Sequence, residues 1–403
     1  MQLAEHMPAH EPFPDQKAQP AVEPEFALAV ACCRWPPSAD KNKAVREAAA
    51  GVDWPLFLKV ARRQRVEGLI WHALRQAGVD MPAATARPLQ AAAQKIARQN
   101  LTNLAESARL RRVLGEVGAE PLFVKGLTLA GLAYGDVALK SGWDIDILVE
   151  IDAVEACADA LEHEGYRLML PPAEVGRSRL AWWHERWKES IWSNRARGTH
   201  VELHTRLVDN AAVLKGVGAC SPRQEVEVST GLPLPTLRLE ELFAYLCVHG
   251  AASGWFRLKW AADVGALLSR CGEEETERLY RTSQELGAGR AAAQALLLCR
   301  FLFGTRTAPA LLAELRSRPM NERLFRLALR NMAGRSASTE LSDLRFGTLG
   351  IHLNQLAMVP GLRFKMAEAW RQLANPEHRL ATRLPPPFHL FAPAMKRLRG
   401  GRG

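Results

Sequence analysis

The reading turns on Lys125-Gly126 … Tyr134-Gly135-Asp136 … Lys140-Ser-Gly-Trp-Asp144-Ile-Asp146-Ile-Leu-Val149, followed later by Val201-Glu202-Leu203-His204. Successive side chains of a strand point to opposite faces, so Asp144 and Asp146 share one face and Ile145, Ile147 and Val149 the other. Two carboxylates side by side repel unless a cation lies between them. Hard divalent ions such as Mg²⁺ take oxygen ligands and keep positions open for phosphate oxygens. The pair therefore reads as half of a metal site for phosphoryl or nucleotidyl transfer. In a chain with 43 acids it reads alternatively as two solvated carboxylates at a strand end. Val201–His204 is a second alternating strand, with Glu202 and His204 on one face. Laid beside the first strand, it adds a third carboxylate able to help deprotonate an attacking hydroxyl.

Outward from this segment the pattern changes on both sides. Pro121–Val124 reads as a short buried strand, Leu127–Tyr134 as a helix and Val154–Glu164 as a helix ended by Gly165. Tyr166–Leu170 is a further strand, and Ser190–Ser193 pairs with His200–Leu207 through a turn at Arg197-Gly198. Strands interleaved with helices make residues 119–236 an α/β core with a small mixed sheet. Residues 26–118 are helical. Asp53 caps a helix whose apolar positions run from Trp54 to Leu74 and which Gly78 closes, and a longer helix spans Ala83 to Val117. Helical periodicity returns over 237–377, with breaks at Gly250–Gly254, Gly287, Gly304 and Pro360. Residues 1–25 are proline-rich and acidic, a disordered tail by composition, and 378–403 form a basic terminal segment.

The charge follows the same divisions. Lys and Arg number 53 against 43 Asp and Glu, a formal +10. Residues 1–26 carry −4 and 378–403 carry +6, which leaves +8 on the body. A composition of 48% hydrophobic and 24% charged residues excludes a disordered, collagen-like or disulfide-dense chain. The seven cysteines form no CxxC pair, and no run is long and apolar enough to span a bilayer. The N-terminus has neither the basic nor the apolar part of a signal peptide. A cytoplasmic protein is expected.

The glycine turn, the acid–apolar–acid strand and the third acid in a second strand resemble the DNA-polymerase-β-like nucleotidyltransferase superfamily. The set Lys125-Gly126, Tyr134-Gly135-Asp136, Lys140, Asp144–Val149 and Val201–His204 is closer still to a bacterial family of uncharacterised nucleotidyltransferases. That likeness extends to Asp53-Trp54 upstream and to His249-Gly250, Trp255–Trp260 and Asp263 downstream. It implies a nucleotidyltransferase core flanked by N- and C-terminal helical regions, with Asp144, Asp146 and Glu202 as ligands of Mg²⁺ or Mn²⁺ and as catalytic carboxylates. It implies an NTP donor, and Gly126 as the turn that brings backbone N–H groups to its phosphates. The chain departs from the usual pattern in Leu127 after the glycine, which makes Thr128 the nearest hydroxyl, and in Lys140 where Arg is commoner. The implied reaction moves a nucleoside monophosphate to a hydroxyl of a small-molecule or saccharide acceptor and releases pyrophosphate. RNA- or protein-directed transfer, or a catalytically silent nucleotide-binding protein, are the alternatives.

Around this set, Lys125 and Lys140 are placed to neutralise triphosphate charge, or are ordinary solvated lysines. His204 is a partner of Glu202 or of the acceptor, or a satisfied structural histidine. Lys259 and Asp263, one helical turn apart, can pair with each other, and the resemblance turns their face toward substrate. Trp182, Trp183, Trp187 and Trp192 are interleaved with arginines. They read either as a lid with Trp187 facing the acceptor or as a small aromatic core.

Overall fold

The computed structural model describes residues 22–333 and 349–373. The expected tail therefore lies outside the described residues as far as residue 21, while Pro24 and Glu25 already belong to the first helix; the basic segment 378–403 lies wholly outside them. Five helices lead the chain: α1 (Pro24–Cys33), α2 (Ala39–Ala49), α3 (Trp54–Gln64), α4 (Glu67–Ala77) and α5 (Ala83–Glu116). Asp53 caps α3 by accepting from the Leu56 N–H at 2.9 Å. The single helix expected from Asp53 to Gly78 is in fact two. Arg65 takes a left-handed φ of 54° at the end of α3. The break lets Gln64 accept from Leu258 N–H at 2.6 Å and donate to Met332 carbonyl at 3.0 Å. Those bonds tie the N-terminal helices to the C-terminal ones.

The core follows as β1 (Leu122–Phe123), α6 (Gly126–Tyr134), β2 (Ile145–Leu148), α7 (Val154–His163), β3 (Arg167–Leu170), α8 (Leu180–His184), β4 (Glu189–Asn194) and β5 (Thr199–His204). The sheet order is β1-β2-β5-β4-β3, with β2 and β5 parallel and the other neighbours antiparallel. This is the small mixed sheet expected. A separate hairpin of β6 (Arg223–Ser229) and β7 (Leu232–Leu237) was not anticipated. Pro233 and Pro235 interrupt the strand signal there. Prolines lack the N–H a ladder needs, and β7 accommodates them because it pairs on one side only, with β6.

Helices α9 (Leu239–Ala252), α10 (Leu258–Leu268), α11 (Glu273–Glu285), α12 (Gly289–Phe303), α13 (Pro309–Ser317), α14 (Pro319–Ala333), α15 (Leu349–Ala357) and α16 (Leu362–Leu373) complete the described chain. Gly250 lies inside α9 and does not break it; a Cβ there would meet the Trp255 ring at 2.4 Å. Phe26, Ile70 and Leu74 share one hydrophobic cluster with Phe243, Trp255 and Leu296, so the two helical regions on either side of the sheet in sequence pack together. Ile145, Ile147, Val149, Val201 and Leu203 belong to a second cluster with Leu110, Leu114, Val226 and Leu234. No described helix is long and apolar enough to cross a membrane.

Candidate functional site

The parallel register of β2 and β5 sets Asp146 opposite Glu202 and Leu148 opposite His204. Partners in register point to the same face, so the second apolar face of each strand is free to pack, and it does. The acid face is itself enclosed: Asp146 is 5% exposed and His204 1%. The reading as a solvated strand end therefore fails for Asp146. Oxygens of Asp146 and Glu202 and a ring nitrogen of His204 all lie within 4.8 Å of one another. His204 Nε2 is 3.1 Å from Asp146 Oδ1 and 3.4 Å from Glu202 Oε2. Its Nδ1 lies 3.3 Å from Oε2 of Glu189, the residue opposite it on β4. Asp144 stands one step before β2, outside that tight group but within its field.

Electrostatics divides the two aspartates. Burial, then the charges of Asp146 and Glu202, push the Asp144 carboxyl up to about 6, against the opposing pull of Lys125 and Lys259. Burial would raise Asp146 too, but Lys125 and the hydrogen bond from His204 outweigh it and hold that carboxyl well below its ordinary value. Lys125 Nζ is 2.6 Å from Asp146 Oδ1 and donates to the Tyr245 hydroxyl oxygen. Burial alone would lower the Lys125 ammonium; Asp146, Tyr245, Glu202 and Asp144 together hold it well above its usual range. Glu202 is drawn below its ordinary value because His204 and Lys125 overcome burial and the Asp146 charge.

Gly126 opens α6 at a φ of +53°, a conformation costly to any residue with a Cβ. No side chain caps the first turn of α6, which leaves its amides available beside Asp144 and Asp146. Thr128 is elsewhere: fully buried, its hydroxyl donates to the carbonyls of Phe123 at 2.7 Å and Lys125 at 3.0 Å, and so shapes the turn from behind. Lys140 is not solvated. Its Nζ is 3.3 Å from Asp263 Oδ2, and Asp263 Oδ1 accepts from the Tyr134 hydroxyl at 3.0 Å. Asp263 thus pairs with Lys140 where a Lys259 partner was expected. Lys259 lies near Trp260, and burial, with Lys140 nearby, lowers its ammonium to about 8. Trp182 and Trp183 pack on Trp187, while Trp192 belongs to the sheet cluster. Trp187 stacks on Trp183 at 4.6 Å, Trp192 is fully buried, and Trp182 lies beneath Arg179 and Arg186. Arg177 is taken up by Glu155, Asp159 and Glu162. The cluster is a small aromatic core.

Comparison with known proteins bears on this geometry. The family described as "Uncharacterised nucleotidyltransferase" matches residues 50–304, more than half of the chain and all of the elements from α3 to α12. The chain belongs to this family. No curated protein matches it. The matched span takes in α3–α5 and α9–α12 as well as the three carboxylates, and leaves α1, α2 and α13–α16 outside it.

The enclosure of the site contains residues the sequence reading passed over. Asn100, Asn103 and Ser107 recur at helical spacing on α5 and line the cleft that also holds Lys125, Gly126 and Asp144. Asn100 Nδ2 donates to the carbonyls of Val137 at 2.6 Å and Lys140 at 2.7 Å, clamping the loop before Asp144. Ser107 is buried, and its hydroxyl has no hydrogen-bond partner among the described residues. A polar stripe at steps of three and four on an amphipathic helix was the available signal. Glu189 and Tyr245 carried none, because only the fold brings them to His204 and Lys125.

Proposed function

We propose that this family member is a cytosolic nucleotidyltransferase of the DNA-polymerase-β-like type. It moves a nucleoside monophosphate from an NTP to a hydroxyl of a small-molecule or saccharide acceptor, and pyrophosphate is released. The observation that carries this reading is the register pairing Asp146 with Glu202, with Asp144 two residues before Asp146 and just ahead of β2. The donor set suits a hard divalent cation: it is rich in carboxylate oxygen, and Asp144, pushed up to about 6, marks a place short of positive charge. Asp144, Asp146 and Glu202 would hold Mg²⁺ or Mn²⁺. Bound there, such an ion supplies neutralisation of triphosphate and pyrophosphate charge.

The chain's own groups do the rest. Gly126 and the uncapped first turn of α6 offer N–H groups to phosphate oxygens. Lys125 lies beside Asp146 and Tyr245, where its charge can pass to the triphosphate. Ser107 offers the nucleoside a hydroxyl that has no partner among the described residues. Glu202 takes the proton of the acceptor hydroxyl as its oxygen bonds the α-phosphorus, and the bond from that phosphorus to pyrophosphate breaks. Lys140, fixed to Asp263, and His204, fixed to Asp146, are positioning residues. An RNA-directed version is the second reading; the positive balance of the body is what favours it.

The test is pyrophosphate release from each NTP by purified protein with Mg²⁺, with and without small-molecule extract, followed by mass spectrometry of the products. A nucleotidylated product made by the wild type and not by the Asp144→Asn/Asp146→Asn double variant is expected. Equal NTP consumption by both proteins would end this reading.

A further inference from the structure

Apolar side chains left in water are unevenly placed on this protein. Among the described residues nine large apolar side chains are exposed, and four of them, Leu353, Leu362, Met366 and Trp370, belong to the last two helices, α15 and α16. Leu362, Met366 and Trp370 recur at steps of four along α16, so they form one stripe on its surface. They are 72%, 64% and 61% exposed, against 3% for Phe364 and 1% for Glu368 on the same helix. Phe364 joins the large hydrophobic cluster, Glu368 accepts from Asn210, and Arg371 reaches Asp209, so these three face the protein. At about 100° of rotation per residue the stripe points directly away from that packed face.

The charge on the helix is arranged around the stripe. Lys365 lies on one flank and Arg363 on the other; both are exposed, and neither forms an ion pair among the described residues. The one acid of α16, Glu368, is turned inward and taken up by Arg371, and α15 carries no acid. The outward surface is thus apolar along its crest and positive at its edges. The sequence continues that sign, since residues 378–403 carry +6.

Possible occupants differ in what they ask of this surface. A second copy would set the same cations against each other, and four side chains fall well short of the about 800 Å² a side that a stable protein interface buries. Any other folded partner meets the same shortage of area. A bilayer requires neither that area nor a matching contour. An apolar crest with a Trp on it, edged by Lys and Arg, suits a helix lying among lipid headgroups, and anionic lipid answers the cations. No described helix can cross a membrane, so the contact is made at its surface. We infer that α16 docks the protein reversibly on a membrane surface rich in anionic phospholipid. Leu362, Met366 and Trp370 enter the boundary between headgroups and acyl chains, and Arg363 and Lys365 meet the headgroup phosphates. This contact needs nothing from the transfer chemistry, because no residue of the stripe lines the carboxylate cleft.

The test is co-sedimentation of the full chain with vesicles of phosphatidylcholine alone and with about 30% phosphatidylserine, at low and at physiological salt. Expected is binding that needs the anionic lipid and weakens with salt. Met366→Glu/Trp370→Glu should weaken it by about tenfold or more, as should Arg363→Gln/Lys365→Gln, with Tm unchanged because these side chains face solvent. Brominated acyl chains should quench part of the tryptophan emission of the wild type. Trp370→Leu keeps the stripe apolar, so it should keep vesicle binding and lose that quenching. No binding to either vesicle overturns the proposal. Binding by Met366→Glu/Trp370→Glu equal to that of the wild type overturns it too, by assigning the contact to the basic segment 378–403 alone. Sedimentation velocity reads the rival occupant: a wild-type dimer that this double variant loses would make the stripe an interface between copies and end the lipid reading.

Discussion

Removing either of two aspartates two residues apart should change stability in opposite directions. Without metal, the Asp144 carboxyl sits at about 6 against an ordinary value of 3.8, so the folded chain binds that proton more tightly than the unfolded chain. Stability therefore falls as pH rises from about 4 to 6, and the ionised group costs up to about 3 kcal/mol at neutral pH. Part of this belongs jointly to Asp146 and Glu202, which brings the share of Asp144 to about 2 kcal/mol. Asp144→Asn keeps the shape and removes the charge. In EDTA near neutral pH it should raise Tm by about 2–4 °C, the gain vanishing below about pH 4. Asp146 has the reverse sign. Its carboxyl is held well below its ordinary value, so its contribution is present above the unfolded value and lost as pH falls through the folded one. Asp146→Asn leaves the Lys125 ammonium buried without the partner at 2.6 Å, at a cost of about 3–5 kcal/mol. Calorimetry of the three proteins in EDTA and in excess Mg²⁺ reads both effects. Mg²⁺ should stabilise the wild type, where it relieves the repulsion, and leave both variants nearly unchanged. A fall in Tm for Asp144→Asn in EDTA, or the same sign for both substitutions, would refute the reasoning.

Gly126→Ala puts a Cβ on a residue at φ +53°; about 1–2 kcal/mol of stability and about tenfold or more in pyrophosphate release should be lost, measured by denaturation and by a coupled phosphate assay. Lys140→Met removes the cation in contact with Asp263 and leaves it the Tyr134 hydrogen bond and the more distant Lys259, so urea unfolding should show a loss of about 2–4 kcal/mol, and Asp263→Asn combined with it should recover part of that loss. Trp187→Ala removes a ring stacked on Trp183 and should lower stability by about 2–3 kcal/mol with KM for the acceptor unchanged; a raised acceptor KM at full stability would restore the lid reading.

How far the sequence revealed the site depends on how local each determinant is. Ile145, Ile147 and Val149 alternate with two acids, and the strand they imply forms, with its apolar face in the sheet cluster. Gly126 is legible because a positive φ favours one residue type. The register between β2 and β5 is not local, yet burying Val201 and Leu203 with Ile145 and Ile147 leaves few alternatives, since a slip of one residue would turn the acids into the core. The partners of the lysines were illegible. Nothing near Lys140 in sequence identifies Asp263, 123 positions on, and the helical spacing that favoured Lys259 was outweighed by packing of α10 against α6. The β6–β7 hairpin was hidden by prolines whose tolerance depends on a free edge, which is a property of the sheet and not of the strand.

The helical flanks are better understood as parts of the site than as additions to it. The loop from Gly135 to Trp143 has no regular structure, and it ends at Asp144. Such a loop positions a carboxylate only if its backbone is held. Asn100 of α5 takes the carbonyls of Val137 and Lys140 from one side, and Asp263 of α10 takes the Lys140 ammonium from the other. Gly68 of α4 completes the grip: a Cβ there would lie 2.4 Å from the Leu139 carbonyl oxygen, so helix and loop touch backbone to backbone. Three helices from either side of the sheet in sequence thus converge on three loop residues, Val137, Leu139 and Lys140. A fragment reduced to 119–236 would retain all three carboxylates and lose every one of these restraints. It should fail to stabilise on adding Mg²⁺ even if its sheet forms, whereas a chain that keeps 50–304 has the means to hold Asp144 in place.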